Sequence, residues 1–211
     1  MIRAFALLSL SLFAPPALAE RHLCDDAARD AAQATGVPVD ILRAIALTET
    51  MRNGTAWPWT INHQGQGFWF ATGAAARSAA EDVLSAGGSA DIGCFQINTR
   101  WHRQAFASLE AMFDPHENAL YAARYLTDLR ARFDDWEGAI AAYHSRDAER
   151  GAAYLARVQK VRKALADGIP PQDGSPPARR NRFPLLVSGD PASTGSVMPA
   201  LQGMVPLIGG P

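Results

Sequence analysis

A mostly α-helical domain carrying one small β-hairpin, followed by a disordered Pro/Gly-rich tail, is the fold class that this 211-residue sequence predicts. Three observations predict it. Apolar residues recur at helical spacing in separate stretches between residues 25 and 165. Aromatic, β-prone residues gather in one place, Trp57 to Phe70, around a Gly-containing turn. Beyond Gly168, prolines and glycines crowd together without periodicity.

Residues 1–19 carry Arg3, an apolar run from Ala4 to Phe13 and the small-x-small sequence Ala17-Leu18-Ala19, and are expected to be a cleaved secretory signal peptide. The run is too short for a membrane span, which needs about 20 residues. A lipid-anchored reading fails because Arg21-His22-Leu23, rather than small residues, precede Cys24. The mature chain is therefore expected in a periplasm-like compartment, with no stable membrane span.

The domain is expected over residues 20–167. Asp25 to Thr35 is Ala-rich and helical, Gly36-Val37-Pro38 breaks it, and Pro38 suits the first turn of a second helix. The Trp57–Phe70 hairpin follows. Gly73 to Ala86 reads as a helix ended by Gly87-Gly88, and Asp114-Pro115 starts a long helix whose apolar stripe is Ala119, Leu120, Ala123, Leu126 and Phe133. The next helix presents Trp136, Ile140 and Tyr143 on one face, and a last one runs from about Ala148 to Leu165. The tail, 168–211, holds two apolar islands, Phe183–Val187 and Met204–Ile208. Two readings of these stay open: they pack back onto the domain, or they dock onto a partner.

The formal net charge of −1 gives no electrostatic footprint for nucleic acid or anionic lipid. A hydrophobic content of 48% is enough for one core. The five histidines are scattered with no ligand spacing, so no metal or cofactor is expected. The two cysteines, Cys24 and Cys94, face an oxidising compartment, where such a pair persists as a disulfide. That bridge would close a loop of about 70 residues and stabilise by roughly 4 kcal/mol in the chain-entropy model. The alternative is a buried free thiol at Cys94.

One residue breaks the helical pattern in an informative way. Leu42, Ile45, Ala46 and Glu49 form the inward stripe of the second helix, so an acid sits where a helix buries oil. Burial raises a carboxyl pKa, and the negative end of the helix macrodipole disfavours an anion in the last turn. Both effects prepare a general acid. The competing reading is that Glu49 tips into solvent at the helix end and is inert.

Leu47-Thr-Glu-Thr, Asp91-Ile-Gly-Cys-Phe-Gln-Ile-Asn and Ala141-Ala-Tyr-His-Ser together resemble the three signature blocks of lysozyme-like lytic transglycosylases of the soluble lytic transglycosylase (SLT) type. Those blocks usually read Glu-Ser, Gly-Leu-Met-Gln-Ile and Ala-Tyr-Asn, and the resemblance covers about Cys24 to Leu165. The departures are Thr50 for Ser, Cys94-Phe95 for Leu-Met, His144 for Asn, and an insert between the first two blocks. The resemblance implies a lysozyme-like fold and cleavage of the MurNAc–GlcNAc β-1,4 bond of peptidoglycan glycan strands, with 1,6-anhydroMurNAc formation. It implies that Glu49 acts as acid and then base, that Gln96, Asn98 and Thr50 lie at substrate contacts, and that Tyr143 orients the acid or the acetamido group. A core role for Tyr143 is the alternative.

Trp57 and Trp59, with Phe68 and Trp69, would form a glycan-stacking platform in the insert, or equally the cross-strand pairs a small hairpin needs. A lysozyme-type hydrolase would need a second carboxylate, for which Asp91 and Glu81 are the candidates, although Asp before Gly is ordinary turn chemistry. A weakly catalytic glycan-binding assembly factor is the third reading. By analogy, a partner of a flagellar or secretion assembly would bind through the tail.

Overall fold

The structure, a computed structural model, describes residues 22–169; the expected signal peptide and the Pro/Gly-rich tail with its apolar islands lie outside the described residues. Helix α1 (Leu23–Thr35) opens with Asp25 and Asp26, whose charges suit a helix N-terminus, and ends at Gly36, whose φ of 77° supplies the left-handed cap. Its buried face, Cys24, Ala27, Ala28 and Ala31, is small, which lets it lie close along α2 (Val39–Thr50) and α6 (Pro115–Phe133). Pro38 is the N-cap of α2 rather than a residue of its first turn.

The strands follow. β1 (Met51–Arg52) and β2 (Thr55–Ala56) form a minimal antiparallel pair. β3 (Thr60–His63) and β4 (Gln66–Trp69) form the expected hairpin, with Thr60 opposite Trp69 and His63 opposite Gln66. Its two turn residues, Gln64 and Gly65, have φ of 53° and 80°, the pair of positive values that a two-residue turn needs to match strand twist.

Two further strands extend the expected hairpin into a small sheet. β5 (Asp91–Ile92) pairs with β3, and β6 (Ile97–Asn98) pairs with β5, giving an antiparallel sheet of order β4-β3-β5-β6. Two-residue strands carry no periodicity, so nothing in their sequence announces them.

Helix α3 (Gly73–Ser85) is capped by the Thr72 hydroxyl and stops at Gly87, φ 77°. Two short helices unmarked in the sequence, α4 (Thr99–His102) and α5 (Leu109–Phe113), are started by Asn98 and Ser108 side chains. In α6 the Asp114 carboxylate accepts from the N–H groups of His116 and Glu117. The buried stripe of α6 is Ala119, Ala122, Ala123, Leu126 and Leu129. Phe133, placed on that stripe by spacing, is 45% exposed because it is the last residue before the helix turns out at Asp134, φ 66°.

Helices α7 (Trp136–His144) and α8 (Ala148–Ala166) carry Asp135 and Asp147 as N-caps. Helix α8 buries Gly151, Tyr154 and Val158 and packs against both α7 and α2. Arg162 ties α8 to Asp40 of α2 at 2.9 Å, and Arg43 ties α2 to Asp25 of α1. Cys24 and Cys94 are both fully buried and bonded to each other, their Cα atoms 5.6 Å apart, so the free-thiol alternative does not hold. Among the described residues no helix is long and apolar enough to cross a membrane.

Candidate active site

Glu49 occupies the penultimate position of α2, half-buried, with the apolar residues Ile45 and Ala46 one turn back. Its pKa is pushed up to about 7, chiefly by burial and further by the charge of Asp91, against the opposing effects of a hydrogen bond from Tyr154 and the charge of Arg157. The Tyr154 hydroxyl donates to Glu49 Oε1 at 2.6 Å. Burial and the nearby Glu49 push the Tyr154 phenol well above its usual value, so it keeps its proton and stays a donor. The ring is 1% exposed, stacked on His144 at 4.6 Å and 4°, with the Arg157 guanidinium 5.3 Å from its centre.

The β5–β6 segment, whose Asp91 is near enough for its charge to act on Glu49, forms what we call the floor of the site, and it is held from several sides. Buried Asn118 on α6 accepts from the Phe95 N–H at 2.9 Å and donates to the carbonyls of Ile92 (3.1 Å) and Met112 (2.9 Å). Gly93, φ 76°, must be glycine twice over: a Cβ there would also come 2.8 Å from Asn118 Nδ2. Gln96 takes a positive φ of 48°, and its amide donates to the carbonyls of Gly93 (3.0 Å) and Thr60 (3.3 Å). The disulfide anchors the same loop to α1.

Several expected contacts have other duties here. Tyr143 donates its hydroxyl to the Phe95 carbonyl at 2.8 Å, so it braces the floor, and the orienting of the acid falls to Tyr154 one helix later. Thr50 is fully buried; its hydroxyl donates to the Ala46 carbonyl at 3.0 Å and accepts from the Trp57 N–H at 3.2 Å, which leaves it no access to a substrate. Asn98 caps α4 through its oxygen and donates its amide to Asp91 Oδ1 at 2.6 Å, so it orients that carboxylate instead of reaching outward. Gln96 is likewise engaged with the backbone through its amide nitrogen. Asp91 sits half-buried on β5, with burial raising its pKa.

The hairpin aromatics divide. Trp57 is half-buried, donates its indole N–H to the Phe70 carbonyl at 2.7 Å, and lies under the Arg52 guanidinium. Trp59 is half-buried against Gly73, where a Cβ would come 2.9 Å from the ring. The exposed rings of the hairpin are instead Phe68 (39%) and Trp69 (43%), and outside it Trp101 is 76% exposed. Trp69 also donates to the Thr50 carbonyl at 3.3 Å, and the Trp57 N–H reaches the same oxygen at 3.2 Å. The insert thus satisfies the orphan Thr50 carbonyl at the C-terminus of the helix that carries Glu49.

Tyr154 is the residue that sequence reasoning missed. Its signal was a tyrosine within the buried stripe Gly151, Tyr154, Val158, where the hydroxyl needs a buried partner.

Residues 26–164, more than half of the chain, match the sequence model of the transglycosylase SLT domain. The chain belongs to that family. No match is found among curated proteins or among solved structures. The SLT family is one of lysozyme-like lytic transglycosylases, enzymes that cleave the glycan of peptidoglycan, and the matched span contains Glu49, Tyr154 and the whole braced floor.

Proposed function

We propose that this SLT protein is a peptidoglycan lytic transglycosylase that cleaves the MurNAc–GlcNAc β-1,4 bond and leaves a 1,6-anhydroMurNAc end, with Glu49 as its sole acid and base. The observation that carries this reading is a carboxyl titrating near 7 in an apolar helix seam, with Tyr154 fixing one of its oxygens. Near neutrality both protonation states are populated, which suits a group that must do two jobs. As the acid, Glu49 gives its proton to the leaving glycosidic oxygen while the substrate's own acetamido oxygen bonds to C1. As the carboxylate, it takes the proton of the C6 hydroxyl as that oxygen attacks C1 and expels the acetamido oxygen. No water enters the product.

A second reading, hydrolysis with Asp91 as the second carboxylate, is favoured by one observation: Asp91 lies near enough for its charge to raise the pKa of Glu49, and Asn98 holds its oxygen in place. Mass spectrometry of muropeptides released from purified sacculi separates the two. Anhydro ends support the single-acid reaction; reducing ends heavier by one water assign it to the Glu49–Asp91 pair.

We place the enzyme in the periplasm, on the strength of the signal-like residues 1–19. Local wall opening for a flagellar or secretion assembly is the role we assign it, supported by the apolar islands of the tail sequence.

A further inference from the structure

Arg157 stands near the reacting carboxyl without an ion-pair partner among the described residues. Its guanidinium lies 5.3 Å from the centre of the Tyr154 ring, whose hydroxyl holds Glu49, and its charge is felt by Glu49 itself. The residue is exposed on α8, and its single hydrogen bond, to the Ala153 carbonyl in its own helix, is a long 3.5 Å. Among the described residues no carboxylate comes within ion-pair distance of it. The neighbouring Arg150 differs in this respect, having Asp147 at 3.5 Å.

Glu49 cannot serve as a lasting counter-ion. With a pKa near 7 it is largely neutral over the acidic half of the working range, and the mechanism requires it to be neutral when substrate arrives. His144, stacked on the same Tyr154 ring, carries no compensating negative charge, and burial together with Arg157 and Arg150 lowers its pKa. Arg157 is therefore an exposed cation beside the site with no lasting counter-ion among the described residues, on a chain whose net charge is −1.

Resting on the reading of the chain as a wall-cleaving enzyme, we propose that Arg157 is a carboxylate receptor that selects muramoyl glycan by its acidic substituent. Guanidinium is the side chain best suited to the role, because its planar fork binds a carboxylate through two parallel hydrogen bonds. The carboxylate has two possible sources in the same polymer: the lactyl group of a muramoyl residue bare of peptide, or the acidic residues of an attached stem peptide. Neutral β-1,4 glycans of N-acetylglucosamine present neither.

The test is binding to catalytically silent protein, which removes any effect of Arg157 on the ionisation of Glu49. Glu49→Gln and Glu49→Gln/Arg157→Gln are titrated calorimetrically with chitohexaose, with glycan strands stripped of stem peptides, and with stem-bearing strands, at low and high salt. We expect the second substitution to weaken binding of a charged glycan by about tenfold, a loss that shrinks at high salt, and to leave chitohexaose binding unaltered. Loss on stripped strands assigns the lactyl carboxylate; loss on stem-bearing strands alone assigns the peptide. Arg157→Lys in the same background, keeping the charge without the fork, should recover part of the affinity. An equal loss on chitohexaose, or no loss on either charged glycan, overturns the proposal. Anhydro products from the wild-type enzyme on the same strands report the underlying activity separately, whatever the binding experiment shows.

Discussion

Tyr154→Phe probes how the acid is set. The substitution deletes one oxygen from a ring that is 1% exposed and keeps the surfaces that meet His144 and Arg157, so the fold should survive. What is lost is the 2.6 Å hydrogen bond to Glu49 Oε1. A donated hydrogen bond favours the ionised carboxyl, so its removal must raise the pKa of Glu49 above the present value of about 7. A hydrogen bond to a charged group is worth about 1.5–3 kcal/mol, and one pKa unit corresponds to 1.36 kcal/mol, so the shift should be about one to two units. The alkaline limb of the pH profile of kcat/KM, which reports the acid form of free enzyme, should move up by that amount. The plateau rate should fall about tenfold, since the carboxyl loses the group that fixes its orientation. The assay is initial release of soluble muropeptides from sacculi between pH 5 and pH 10. An alkaline limb that stays in place or moves down would refute this account of the acid.

Glu49→Gln should abolish cleavage of sacculi while stabilising the protein at alkaline pH. Glu49 titrates at 4.5 in an unfolded chain and at about 7 in the fold, so the folded form holds its proton longer and wild-type stability declines as pH rises from 4.5 through 7. The decline amounts to about 3 kcal/mol, so the variant should melt roughly 10 °C higher than wild type at pH 8 and at the same temperature at pH 4; equal melting at both would show that the carboxyl is not buried as described. Asn118→Ala strips the Phe95 N–H of its acceptor and two carbonyls of their donor. It should cost about 3 kcal/mol and cut kcat, and a variant with wild-type melting and turnover would show that the floor does not depend on that amide.

Much of this architecture was legible in the sequence, and the reasons are physical. Glu49 stood out because a charged group inside an apolar stripe violates the pattern of α2, and caps such as Asp114-Pro115 and Gly36 announce themselves through backbone chemistry. The sheet beyond the hairpin did not, because β5 and β6 are two residues each and are defined by pairing across long loops rather than by any local preference. Site contacts were hard to read for a related reason. The motif resemblance pointed to Tyr143, Thr50 and Asn98, but a motif does not say which way a polar atom faces, and here all three bond within the fold. Tyr154 and Asn118 lie outside every signature block, 105 and 69 positions from Glu49 in sequence, and only folding brings them to the site.

The floor of the cleft deserves to be seen as masonry. One short loop is clamped by a disulfide to α1, by Asn118 to α6, by the Tyr143 hydroxyl to α7 and by the Gln96 amide to β3. Each clamp comes from a different part of the chain, so no single one of them can be retuned without moving the others, and the geometry beneath the acid has little room to drift. Exposed side chains such as Phe68 and Trp101 have the opposite character, since no clamp of this kind holds them among the described residues. An engineer who wants this protein to cut a different glycan should therefore leave that loop alone and vary exposed positions such as Phe68 and Trp101, sparing Trp69, which bonds the end of the Glu49 helix, and Arg157, whose charge acts on the acid itself.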